Sequence, residues 1–182
     1  MAICVVTAKN LTQAKHILEK AKAIGFDVHF QVQCSGALVT RGSYPAEVAS
    51  QPVRDFFIEL QELKRNGWPV ASSDAYLKYV IGWKDYRSVC HVDQTKQCAA
   101  GHGFIYIDPR GQAYACLACR GYSKGVNLLT DRWETTWDGN KPCTECVVGP
   151  YLEFNLLFEH PISQLFDMWQ SYSLKKMMRV SD

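Results

Sequence analysis

Neither sign of charge dominates this sequence: 20 Lys and Arg stand against 18 Asp and Glu, for a formal net charge of +2. So even a balance lacks the basic excess that grips phosphate backbones, and nucleic acid is not an expected partner. Long apolar runs are missing as well. No stretch approaches the roughly 18 to 20 residues needed to span a bilayer, and MAICVVTAKN has no charged segment ahead of its short apolar run. The expectation is a cytoplasmic protein with no membrane partner. The sequence also shows no Ser/His/Asp set, no phosphate-cradling glycine loop and no paired carboxylates in a catalytic context.

Cysteine, by contrast, is abundant. Eight, at 4, 34, 90, 98, 116, 119, 143 and 146, sit in a chain of 182 residues that is 47% hydrophobic and 21% charged. A chain of that size and composition builds an ordinary core and needs no disulfide staples. In a reducing compartment that cysteine density points to metal.

The first half patterns as α/β. Ile3 to Val6 is an apolar run, and Asn10 then opens a helical period of Leu11, Ala14, Ile17, Leu18, Ala21 and Ile24, with Gln13 completing a capping box. Gly25 ends that helix, and 26–33 alternate as a strand, so a parallel βαβ unit is expected. Pro52 opens a second helix carrying Val53, Phe56, Phe57, Leu60 and Leu63 and closed by Gly67. A short strand over 69–71 and a third helix capped by Ser72 or Ser73, with Tyr76, Leu77, Val80 and Ile81, complete this half. Two or three parallel strands with helices on one face neither close a barrel nor cover both sheet faces, so the half reads as the end of a larger α/β sheet.

Past a boundary near Tyr86 the texture changes to turns and cysteines. One hairpin is clear: Phe104 to Ile107, the turn Asp108-Pro109-Arg110-Gly111, then Gln112 to Cys116. It puts Cys98 and Cys116 at one end of a ribbon, and Cys143-x-x-Cys146 follows Pro142 in a loop where a tight turn aims two thiolates at one site. Those four suit a closed tetrahedral or cubane site. Cys116-x-x-Cys119 offers a rival set with Cys143 and Cys146, close to zinc-ribbon spacing. Spacing leaves zinc and an iron–sulfur cluster both open. Cys4, Cys34 and Cys90 read as small buried hydrophobes. His91 and His102 flank Cys98 and read as surface or supporting residues. Asp131, Arg132 and Glu134 beside Trp133 and Trp137 read as an amphipathic helix. Ile162, Leu165, Phe166, Trp169 and Tyr172 after Pro161 form a further apolar stripe, and Lys175, Lys176 and Arg179 suit a helix C-terminus.

Cys98, twelve residues, Gly111, four residues, Cys116, a gap and then Cys143-x-x-Cys146 resembles the first part of the auxiliary-cluster signature of radical S-adenosylmethionine (SAM) enzymes, in their SPASM and twitch domains. The CAAG before the hairpin, the D-x-x-G turn and Val126-Asn127-Leu128, at the place of a GNL-like turn, agree. No cysteine follows Cys146, so the one-cluster twitch form is the nearer match. ICVVTAKNL followed by FDVHFQVQ resembles the fifth and sixth strands of the family's partial (β/α)6 barrel, and GWPVASSDAYLKYV the lead into its cluster domain.

The resemblance implies residues 1–86 as the C-terminal portion of that barrel and 87–182 as a twitch-like auxiliary domain. It implies a [4Fe–4S] cluster on Cys98, Cys116, Cys143 and Cys146, with Cys119 as reserve ligand; the alternative, from the C-x2-C spacing, is a structural zinc-binding interaction module. Gln31 and Gln33 fall on the SAM adenine side. The family's C-x3-C-x2-C triad is not present in these residues. SAM is therefore expected only in a complete enzyme, and this chain by itself is not expected to cleave it. The expected partner is a separate N-terminal half or a second copy meeting the edge of Ile3 to Val6.

Overall fold

The computed structural model describes residues 1–33, 50–86, 90–91, 97–117, 124–132, 143–159, 161–162 and 165. Strand β1 (Ala2–Val6), helix α1 (Ala14–Ala23) and strand β2 (Val28–Val32) form the βαβ unit, with the strands parallel in the register Ala2↔Val28 to Val6↔Val32. The expected strand over 69–71 is a single parallel bridge, Val28↔Val70, held by Val28 N–H to the Pro69 carbonyl and Ala71 N–H to the Val28 carbonyl, both 2.8 Å. The described residues mix helices with small sheets, and no strands among them close a barrel.

Helix α1 starts at Ala14, not Asn10, which corrects the capping-box expectation. Asn10 accepts the Thr7 N–H and donates to the Val5 carbonyl, each at 2.8 Å, so its side chain ties the turn back to β1 and does not cap a helix. Gln13 is the N-cap and makes no side-chain capping bond. Leu11 stands outside the helix yet still packs on the core. At the other end Gly25, with φ +76°, takes the left-handed conformation that a residue with a Cβ resists.

Helices α2 (Ser50–Arg65) and α3 (Asp74–Gly82) pack on the face of the sheet that carries Val28, Phe30 and Val32. Phe56 stands edge-on to both Phe30 and Phe57, and the Tyr76 hydroxyl donates to the Phe30 carbonyl at 2.9 Å. Ser73 caps α3 by accepting the Tyr76 N–H at 2.9 Å. Arg54 of α2 donates to the Ile81 and Trp83 carbonyls, both 3.0 Å, filling acceptors that the end of α3 leaves open.

The remaining strands are short. β3 (Cys90–His91) pairs antiparallel with β7 (Glu145–Cys146), while β4 (Tyr106–Ile107), β5 (Gln112–Tyr114) and β6 (Val126–Asn127) make a three-stranded antiparallel sheet. The hairpin is shorter than expected. Phe104 is held in a turn by Gly101 N–H to its carbonyl at 2.8 Å, and Cys116 lies beyond the end of β5. Asp108 shapes the hairpin turn by accepting the Arg110 and Gln112 N–H groups at 2.8 and 3.1 Å. Helix α4 (Gly149–Glu159) has no counterpart in the sequence reading. Its Leu152 and Leu156, with Val147, join the same buried cluster as Phe30, Phe57 and Tyr76, so one core runs from the βαβ unit into the cysteine-bearing region. The helix expected around Trp133 and Trp137 and the apolar stripe beyond Leu165 lie outside the described residues, as do Lys175, Lys176, Arg179, Cys34 and Cys119.

Where α4 meets β2, His29 is 5% exposed, its Nδ1 3.1 Å from the Ser72 hydroxyl and 3.8 Å from Glu153. Phe30 N–H donates to the same Ser72 oxygen at 3.3 Å. Burial lowers the His29 pKa to about 4, against 6.5 in an open chain, so the folded protein keeps the ring neutral while the unfolded chain takes up a proton. Stability from this group is present above pH 6.5 and is lost as pH falls toward 4, a loss of at most about 3 kcal/mol. Denaturant unfolding across that window should show the loss, and His29→Gln should flatten the profile.

Candidate metal centre

Among the described residues Cys98, Cys116, Cys143 and Cys146 are buried, and Cys4 is half-buried. Cys98 and Cys116 belong to one apolar cluster with Ala100, Tyr114 and Ala115, flanked by Phe104, Tyr106 and Tyr151. Local turn chemistry supplies the approach: the Asp108 turn folds β4 onto β5, and the bend at 100–104 returns Cys98 beside the end of that hairpin. Cys146 arrives on β7, one residue before the core position Val147.

Cys98, Cys143 and Cys116 all lie near Cys146. Burial pushes the Cys146 thiol well above its ordinary range, the Val148 N–H donated to its sulfur offsets part of this, and nearby charge on Cys98, Cys143 or Cys116 would raise it further. Gathered thiolates in a desolvated place repel one another, and a cation relieves that repulsion. Among the described residues no group of three or more His, Cys, Asp or Glu is arranged to hold a metal ion. The cysteines thus share a neighbourhood without being closed on a single point.

Helix α4 braces both early cysteines from one face. Tyr151 accepts the Leu117 N–H at 3.2 Å, next to Cys116, and its ring stacks on Phe104 at 5.3 Å between centroids. Asn155, one turn later, accepts the Ala99 N–H at 2.8 Å and donates to the Cys98 sulfur at 3.6 Å. The Ala100 N–H reaches that sulfur as well, at 3.4 Å. Neither Tyr151 nor Asn155 was legible as a functional residue. The pair Gly149-Pro150 was the available signal, because proline suits a first helical turn and so marks a helix start.

The other candidates separate from this centre. Gln31 and Gln33 lie at the far end of β2 and just beyond it, half-buried, with Gln31 against Gly149 at the start of α4. His102 is exposed. Cys4 is half-buried in β1. The backbone register sets Cys90 opposite Cys146, a closeness that its position in the sequence did not announce. Cys119 is outside the described residues.

No family model, curated protein or solved structure matches this chain. No helix among the described residues is long and apolar enough to cross a membrane.

Proposed function

We propose that this chain is an iron–sulfur protein, the C-terminal part of a radical SAM enzyme with an auxiliary [4Fe–4S] cluster on Cys98, Cys116, Cys143 and Cys146. The observation that carries the reading is that three buried cysteines, Cys98, Cys116 and Cys143, lie near a fourth, Cys146, with N–H groups already directed at two of the sulfurs. That donor chemistry fits the group: thiolates hold the irons, while N–H donors and an apolar surround stabilise the charge they carry. A cluster of this kind supplies one-electron transfer. With four thiolates engaged no iron is left open, which suits electron transfer or structural support.

The chain's own residues do the rest. The hairpin and the bend at 100–104 present Cys98 and Cys116, β7 presents Cys146, and α4 fastens the group to the core. The alternative is a structural zinc-binding interaction module on Cys116, Cys119, Cys143 and Cys146, which differs from the cluster reading at Cys98 and Cys119. The partner in this reading is the N-terminal part of such an enzyme, and β1 is the strand it would join, since among the described residues β1 pairs with β2 alone. Gln31 and Gln33 are then the residues on the SAM side.

Anaerobic reconstitution with iron and sulfide tests the reading. The expected product is brown, with broad visible absorbance and about four irons per chain. A colourless protein with one tightly held zinc would overturn it. With dithionite and SAM the reconstituted chain should release no 5′-deoxyadenosine above a protein-free control, and stoichiometric release would mean that a SAM-cleaving site exists among these residues.

A further inference from the structure

We propose that Asn155 is a positioning residue of this centre, whose side-chain amide orients the Cys98 sulfur and raises the reduction potential of the group that sulfur helps to hold. The inference rests on the iron–sulfur reading and adds to it a determinant outside the cysteines. Asn155 is 6% exposed, on a helix whose neighbouring inward positions, Leu152 and Leu156, are apolar. An amide in such a place costs free energy unless both of its ends are bonded. Both are, and the two bonds converge on one ligand: Oδ1 takes the Ala99 N–H at 2.8 Å and Nδ2 gives to the Cys98 sulfur at 3.6 Å.

The orientation of the amide follows from the bonding. The Ala99 N–H is a donor, so the oxygen must face it, and the NH2 is thereby turned toward Cys98. The bridge spans 56 residues of sequence, so it docks α4 to the segment that carries the ligand. A donor aimed at a ligating sulfur favours negative charge there, which makes the group easier to reduce. With the Ala100 N–H, Asn155 gives that sulfur a second donor, and it is the donor that a substitution can remove.

Asn155→Asp keeps an oxygen for Ala99 and removes the donor to Cys98. Asn155→Leu keeps the volume and removes both bonds. After anaerobic reconstitution, the midpoint potential read by EPR-monitored redox titration should move negative in both variants. Asn155→Leu should also hold iron about tenfold less tightly than the wild type, the usual scale for losing a partner of a metal ligand. In the metal-free protein, hydrogen exchange at the Ala99 amide should quicken in Asn155→Leu. A purely structural asparagine would change loading and stability while leaving the potential of the loaded fraction where it was. A wild-type potential in both loaded variants therefore overturns the proposal and leaves the iron–sulfur reading standing. A wild-type chain that takes up no iron overturns that reading, and the proposal with it. Should the buried carboxylate of Asn155→Asp prevent folding, the potential of Asn155→Leu decides alone.

Discussion

Serine in place of Cys98 or Cys143 is expected to strip most of the iron from the reconstituted protein, whereas Cys4→Ser and Cys34→Ser should retain it. A serine hydroxyl at neutral pH is a far weaker iron ligand than a thiolate, and both sites are buried, so water cannot readily take the vacated position. Cys4 belongs to β1 and the core of the first half, and it is not among the cysteines that act on Cys146. Iron per chain and visible absorbance read the result directly. Full iron in Cys98→Ser together with its loss in Cys119→Ser would refute the ligand assignment and favour the C-x2-C pairs. Cys90→Ser belongs in the same series, because its backbone stands opposite Cys146 across β3 and β7. Retained iron there would leave the four-cysteine set intact.

The second large effect is expected at Gly149, where α4 begins against β2. A Cβ at this position would sit inside contact distance of His29 Nε2 and 3.0 Å from the Gln31 Cβ. His29 has little room to yield, since its ring is buried and bonded to Ser72, which is itself fully buried. Gly149→Ala should therefore destabilise the fold by about 2 kcal/mol, the scale of an overpacked core, and lower Tm by about 4–8 °C. Gly82→Ala is the matched control. It lies at the end of α3 with nothing within 4 Å of its added Cβ, and its stability should be unchanged or slightly raised. Because α4 carries Tyr151 and Asn155, displacing its start should also lower iron loading. Equal thermal midpoints for Gly149→Ala and the wild type would show that α4 is not seated on His29.

The elements that were legible are the ones whose signals lie within a few residues. Ser73 caps α3 through a hydroxyl three residues from the N–H it accepts, and Asp108 closes the hairpin through N–H groups two and four residues on. Helix α2 shows its core face as Val53, Phe56, Phe57 and Leu60 on one stripe. The start of α1 was misread because Asn10 had a better offer from β1 than from the helix, and a cap signature does not show where such a side chain will turn. Helix α4 carries no comparable local signal. It serves two clusters at once, with Leu152 and Leu156 on the main core and Tyr151 and Asn155 on the cysteines, so the polar face that reveals an amphipathic helix is narrowed.

The sequence by itself determined the donor chemistry: eight cysteines in a chain with core enough to spare them, a hairpin between Cys98 and Cys116, and a two-residue spacer between Cys143 and Cys146. Hydrogen bonds and turns at short range write those features, and residue spacing records them. Which cysteines meet, and what surrounds their sulfurs, was decided by tertiary structure. The contacts responsible, Asn155 with Cys98 and Ala99, Tyr151 with Leu117, and Cys90 across from Cys146, join residues 34 to 57 positions apart. The contacts of Asn155 and Tyr151 form when α4 docks on the core, where burial of Leu152 and Leu156 offsets the entropy of closing loops that long.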